Sequence, residues 1–238
     1  MLRLQNVLIL CVIVTKMLRL AQRRSFFEKV VVGVWANLPN FVELDCAEWS
    51  GINGYILKTK VMIHPLLLKY YPADTPLRRI LLHHSRQVVE RALLIAERHP
   101  ELRLNKALLE EGAWVHDIGV FLTDAPGIEC HGTHPYLLHG ALGAELMRKE
   151  GREDLARFCE RHTGTGLTVE NIRAQNLPLP LRDYRPETME EKVVCYADKF
   201  YSKSHLERVR TVEQTAQSLE KFGAEGVATF RAWAQLFE

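Results

Sequence analysis

A chain of 238 residues with 47% hydrophobic and 25% charged side chains has the profile of a globular protein with one good-sized core, which excludes a disordered one. A formal net charge of +2 leaves no excess positive field, so an extended nucleic-acid surface is not expected. Five scattered cysteines, Cys11, Cys46, Cys130, Cys159 and Cys195, form no CxxC pair and suit reduced thiols in a cytoplasm.

Residues 1–61 differ in character from the rest of the chain. An apolar run from Val7 to Val14 precedes Lys16, Arg19, Arg23 and Arg24, and then comes the strand-like EKVVVGVW from Glu28 to Trp35. The run is shorter than the roughly 20 apolar residues a membrane span needs. It has no clear small-residue cleavage site after it, so the segment reads as a poorly ordered N-terminal extension, with the domain opening at Met62 and running to residue 238.

From Met62 onward the pattern is helical throughout. Asp74-Thr75-Pro76 offers a cap with Pro at the first helical position, and a helix to about His99 comes next. Leu77, Leu81, His84, Val88, Ala92 and Ile95 recur at steps of three and four, which turns His84 inward and leaves His83 on the polar side. Asn105 caps a second helix through AWVHDIG, with Gly119 expected as its left-handed stop, so His116 and Asp117 stand at a helix end. The stretch FLTDAPGIECHGTHP reads as a long loop, and His131 and His134 in it are candidate substrate contacts.

A helix from Tyr136 to Lys149, closed by Gly151, places His139 inward, and one from Glu153 to His162 buries Leu155, Phe158, Cys159 and His162. After them come a short helix from Thr168 and a proline-rich loop. Thr188 with Glu191 makes a capping box for a helix through about Ser204, whose inner face carries Val194, Ala197, Asp198 and Tyr201. Two closing helices, Thr211 to Phe222 and Glu225 to Phe237, complete residues 205–238 and look like plain packing.

His84, His116, Asp117, His139, His162 and Asp198 thus arrive from five helices at inward or helix-end positions. Buried carboxylates are costly unless paired or bound to a cation. Four imidazoles and two carboxylates without sulfur suit two borderline or hard divalent ions, with Asp117 able to bridge them. The pieces LLHHSRQV, AWVHDIG, HGALGAELM, ERHTG and CYADK, in that order, resemble the HD superfamily of metal-dependent phosphohydrolases over Met62 to Lys203.

That resemblance implies an all-α helical bundle with its core at about residues 76–204. It makes His84, His116, Asp117 and Asp198 the core ligands, His139 and His162 the second-metal ligands, and Asp117 the catalytic centre of the set. The implied cofactors are two ions drawn from manganese, iron, nickel, cobalt, magnesium or zinc, and the implied substrate is a small phosphorylated compound such as a nucleotide. The chain lacks the glycine-tyrosine-proline motif of the cyclic-di-guanylate-cleaving members and is closer to small bacterial dinucleoside tetraphosphate hydrolases. Two neighbouring cations would lower the pKa of a water and hold phosphate oxygens. Arg86, Arg161 and Lys199 lie beside ligands in sequence and could neutralise a phosphate. A di-iron oxygenase and a non-catalytic nucleotide sensor are the alternatives that the same ligand order allows.

Overall fold

The computed structural model describes residues 62–220 and 223–238; the readings made for residues 1–61, including Cys11 and Cys46, lie outside them. Among the described residues the architecture is mostly helical, with one small sheet. After α1 (Pro65–Tyr70), α2 (Pro76–Arg98) opens on Thr75, whose hydroxyl accepts from the Arg78 amide at 3.2 Å. Pro76 at the first position lacks the N–H that would otherwise be orphaned there. Asn105 caps α3 (Lys106–Val115) in the same way, accepting from the Leu108 amide at 3.2 Å. α4 (His139–Lys149) and α5 (Glu153–Glu160) form an antiparallel pair closed at Gly151, whose φ of 71° is the left-handed region that favours glycine.

The short α6 (Val169–Ala174) carries a full capping box at Thr168 and Asn171. α7 (Met189–Asp198) then packs against α2, α3 and α5, bridging the α2–α3 and α4–α5 pairs. α8 (Val212–Leu219) and α9 (Ala224–Phe237) close the bundle, with Phe230 stacked on Tyr196 of α7 at 5.0 Å and Phe237 edge-on at 5.3 Å. The core joins Leu81, Val88, Leu109, Val115, Met147, Leu155, Val194 and Phe230. Full burial of each such side chain contributes roughly 1.5–3 kcal/mol, so the apolar stripe rather than helix propensity holds the bundle.

Four expectations are corrected. Gly119 has φ −83° and is no left-handed stop; α3 ends at Val115 and the chain continues in tight turns, Ile118 N donating to Val115 O and Val120 N to Asp117 O. Glycine is required there for another reason, since an added Cβ would lie 2.3 Å from His139 O and 2.5 Å from Gly143 N. The long loop is ordered by a three-stranded sheet in the order β2-β1-β3. Its β1 (Thr123–Ala125) runs antiparallel to β2 (Cys130–His131) and parallel to β3 (His134–Pro135).

α7 ends at Asp198, short of Ser204, because Tyr201 bridges back to Val209 and the Arg210 amide donates to Phe200 O at 2.9 Å. Thr188 caps α7, but Glu191 does not reciprocate. Its carboxylate accepts from the Glu187 amide at 2.8 Å and from Arg157 at 2.6 Å.

Between α6 and α7 the chain from Asn176 to Glu187 has no regular structure and is tied to α5 by charge. Arg182 and Arg148 reach the buried Glu160 at 2.6 and 3.0 Å, Arg161 donates to Arg185 O and Glu187, and Arg157 holds Glu187 and Glu191. A small apolar cluster of Leu167, Ile172 and Tyr184 lies beneath it.

Candidate metal centre

Each of the six polar residues from the helical stripes is buried: His84, His116 and Asp117 completely, His139, His162 and Asp198 at 4%, 3% and 8% exposure. His84 comes from the middle of α2, with His83 on the exposed face as its phase requires. His116 and Asp117 come directly after α3, His116 still in helical conformation (φ −51°, ψ −33°), and meet the other residues at the helix end. His139 is the first residue of α4, His162 lies just beyond the end of α5, and Asp198 is the last residue of α7.

Three of the four ring orientations are fixed by backbone carbonyls, and the buried Nδ1 of His84 has no partner among the described residues. Nδ1 of His116 faces Ala113 O at 2.7 Å, that of His139 faces Tyr136 O at 2.6 Å, and that of His162 faces Phe158 O at 3.1 Å. A carbonyl can only accept, so each Nδ1 donates and each neutral ring presents a bare Nε2 to the centre. Those Nε2 atoms meet one another, His139 against His162 at 2.9 Å and His84 against His116 at 3.3 Å.

Asp117 divides the cluster in two. Its Oδ2 lies 3.1 Å from His84 and 2.9 Å from His116, and its Oδ1 lies 3.4 Å from both His139 and His162. Asp198 Oδ1 completes the first half, 3.0 Å from His84 and 3.6 Å from His116. The two groups that could each hold a metal ion are therefore His84, His116, Asp117 and Asp198, and Asp117, His139 and His162. Both Asp117 oxygens are buried, and apart from the Lys203 ammonium beside Oδ2 neither has a hydrogen-bond donor outside the cluster.

The donor set fits divalent ions. Two ligand atoms each about 2.1 Å from one ion stand about 3.0 Å apart at a right angle and about 3.5 Å apart when the angle opens toward tetrahedral. The separations within both halves, 2.9 to 3.6 Å, lie within 0.1 Å of that range. Imidazole nitrogens with carboxylate oxygens suit zinc, iron, nickel or manganese, and the Nδ1 contacts to carbonyls are the outer bonds that hold a ligating ring in place.

The electrostatics of the side chains arise from the same contacts. Burial opposes charge on His116, yet Asp117 and Asp198 overcome it and raise its pKa to about 9. Burial and the neighbouring His162 lower His139 to about 3, and burial lowers His162. Burial would raise both carboxyls, but His116 and Lys203 hold Asp117, and Lys199 with His116 and His84 holds Asp198, well below the usual carboxylate range.

Lys203 was not visible as a site residue in the sequence. Its ammonium lies 2.5 Å from Asp117 Oδ2, a cation standing in the first half of the cluster.

A cavity of about 560 Å³ opens over the cluster, lined by His139, His162, Asp198, Lys199, Lys203, Tyr136, Arg210 and a group of hydroxyl residues. Lys199 bonds Asp198 and His162 O, both at 2.6 Å. Tyr136 stacks on the His139 ring at 4.6 Å. The other suggested substrate contacts stand elsewhere. Arg86 is exposed and paired with Glu90, Arg161 is engaged with Arg185 O and Glu187, and His131 and His134 are exposed on β2 and β3 outside the cavity lining.

The HD domain family profile matches residues 81–202, a segment that contains all six clustered residues. The chain belongs to the HD domain family. Among curated relatives of this HD chain, the tRNA (cytidine(56)-2'-O)-methyltransferase of Picrophilus torridus is 34% identical over 169 residues, covering 67% of the chain and 44% of that protein. The enzyme of the same name from Thermoplasma volcanium is 32% identical over 164 residues, covering 68% and 41%. An uncharacterized protein of Methanocaldococcus jannaschii is 42% identical over 124 residues, covering 48% and 66%. The chain spans less than half the length of the two methyltransferases. Among solved structures, the L. monocytogenes phosphodiesterase PgpH HD domain is similar at 19% identity and a TM-score of 0.43, covering 70% of the chain and 93% of that domain.

Proposed function

We propose that the chain is a metal-dependent phosphohydrolase that cleaves a phosphate ester or anhydride bond, with a nucleotide as substrate and His84, His116, Asp117, His139, His162 and Asp198 as ligands to two divalent ions. The observation that carries this reading is the division of Asp117, with one buried oxygen set among His84 and His116 and the other among His139 and His162. A carboxylate has two oxygens to share between two ions, which a single imidazole nitrogen lacks.

Bound ions would supply an activated water and charge stabilisation for an in-line displacement at phosphorus. The chain's own residues do the rest. The carbonyls of Ala113, Tyr136 and Phe158 hold the rings, and the cavity gives phosphate oxygens access to the cluster at its His139, His162 and Asp198 side. Lys199, fixed by Asp198 and His162 O, keeps a positive charge beside the reacting group.

The methyltransferase relatives support a different name, but they are more than twice the length of the segment they share with this chain. Their relevance is to the substrate screen, which should include nucleotides derived from RNA. The free thiols of Cys130, Cys159 and Cys195 suit a cytoplasmic setting. Among the described residues no helix is long and apolar enough to cross a membrane.

The test is metal analysis of the full chain, followed by phosphate release from nucleotides, dinucleoside polyphosphates and phosphodiesters with manganese, iron, nickel or cobalt. Two ions per chain and turnover are expected. Asp117→Ala should abolish both, and His139→Ala or His162→Ala should lower occupancy toward one ion. Oxygen consumption without phosphate release would favour the oxygenase instead.

A further inference from the structure

Of the three cations that line the cavity over the cluster, two are committed to the site's own carboxylates, Lys199 to Asp198 and Lys203 to Asp117. Arg210 is the third. It is half-buried, and no described carboxylate lies within ion-pair distance of it. Its Nη1 donates to Lys199 O at 3.2 Å, while Nε and Nη2 make no hydrogen bond to any described residue. That leaves the side edge of the guanidinium, two parallel N–H groups, directed at no protein acceptor among the described residues.

The backbone holds this arginine where it is. Its amide donates to Phe200 O at 2.9 Å, Tyr201 bridges to Val209, and Gln87 of α2 donates to Leu206 O at 3.1 Å, so the return from α7 is pinned at both ends and in the middle. The carbonyl that Arg210 contacts belongs to the residue after Asp198, one position from a proposed ligand. Ser202 and Ser204, paired with each other at 3.2 Å, line the same cavity with hydroxyl groups. A half-buried, unpaired guanidinium with an open two-donor edge matches the geometry of a phosphate and selects it over a neutral group.

We propose that Arg210 is the specificity determinant of the cavity, binding a second phosphate of the substrate next to the one held over the histidine cluster. The substrate class is then a nucleotide with two or more neighbouring phosphates. This rests on the phosphohydrolase reading for the reacting phosphate and extends it to the phosphate that does not react.

The test uses the full chain with the divalent ion it retains on purification, in two arms. In the binding arm, calorimetry compares inorganic pyrophosphate with inorganic phosphate. The wild type should hold pyrophosphate at least tenfold more tightly, Arg210→Gln should bring the ratio close to one, and Arg210→Lys should fall between, since lysine restores charge but not the two-donor edge. In the turnover arm, the ratio of kcat/KM for adenosine 5′-diphosphate over adenosine 5′-monophosphate should fall tenfold or more in Arg210→Gln, with the loss in KM. An unchanged ratio in Arg210→Gln, or no preference in the wild type, overturns the proposal. If neither nucleotide turns over while the pyrophosphate preference still depends on Arg210, the hydrolase reading falls and the phosphate subsite stands.

Discussion

His116 is the residue on which protonation of the metal-free cluster turns. With its pKa raised to about 9 and Nδ1 donating to Ala113 O, the second proton it holds at neutrality sits on Nε2, the atom that would ligate. Ion binding must expel that proton, whereas His139, lowered to about 3, carries none to lose. The sign is therefore fixed: affinity should rise by about tenfold per pH unit from 7 up to about 9 and then level off. Calorimetric titrations at pH 7.5 in two buffers of different ionisation heat should show about one proton released per chain, and no release would contradict this assignment. His84, His139, His162 and Asp198 were legible from helical phase, as the contrast between buried His84 and exposed His83 shows, and His116 and Asp117 from their place at a helix end. Lys203, Tyr136 and Arg210 were not: Lys203 and Arg210 lie in the irregular return after α7 and Tyr136 in a single 3-10 turn before α4, and the paths of both are set by tertiary contacts that no periodicity records.

At the scale of elements, the site depends on how closely the turn after α3 approaches α4. Gly119 meets His139 O and Gly143 N, and Gly140 of α4 lies against Cys159 O, where an added Cβ would sit at 2.5 Å. These contacts bring His139 to His162 and both to Asp117 Oδ1. Gly119→Ala would place a methyl group against backbone atoms, which cannot swing aside, so α4 must shift. The expected cost is about 1–3 kcal/mol, a fall of several degrees in melting temperature, and bound metal should drop toward one ion per chain. Calorimetric melting with metal analysis checks this, and an unchanged variant would show that α4 is not positioned by this contact. The helices themselves were readable because three-four spacing recurs along them and caps such as Thr75 and Asn105 mark where several begin. The three-stranded sheet was hidden by strands of two and three residues, too short to alternate visibly.

For the whole molecule, every clustered residue lies after Met62, and so does a continuous core among the described residues. A chain that begins at Met62 should therefore stay soluble and bind as much metal as the full chain, as size-exclusion chromatography and metal analysis would show. Aggregation of the shorter chain would mean that residues 1–61 cover part of this domain. The bundle and the segment from Asn176 to Glu187 are held by different forces, the one by a continuous apolar interior and the other by guanidinium–carboxylate contacts over a three-residue patch. Partly exposed ion pairs weaken as salt is added, and apolar burial does not. Brine would thus not loosen the molecule evenly: the bend around Pro180 would come away first and present itself to a protease, while the histidines behind α5 kept their places.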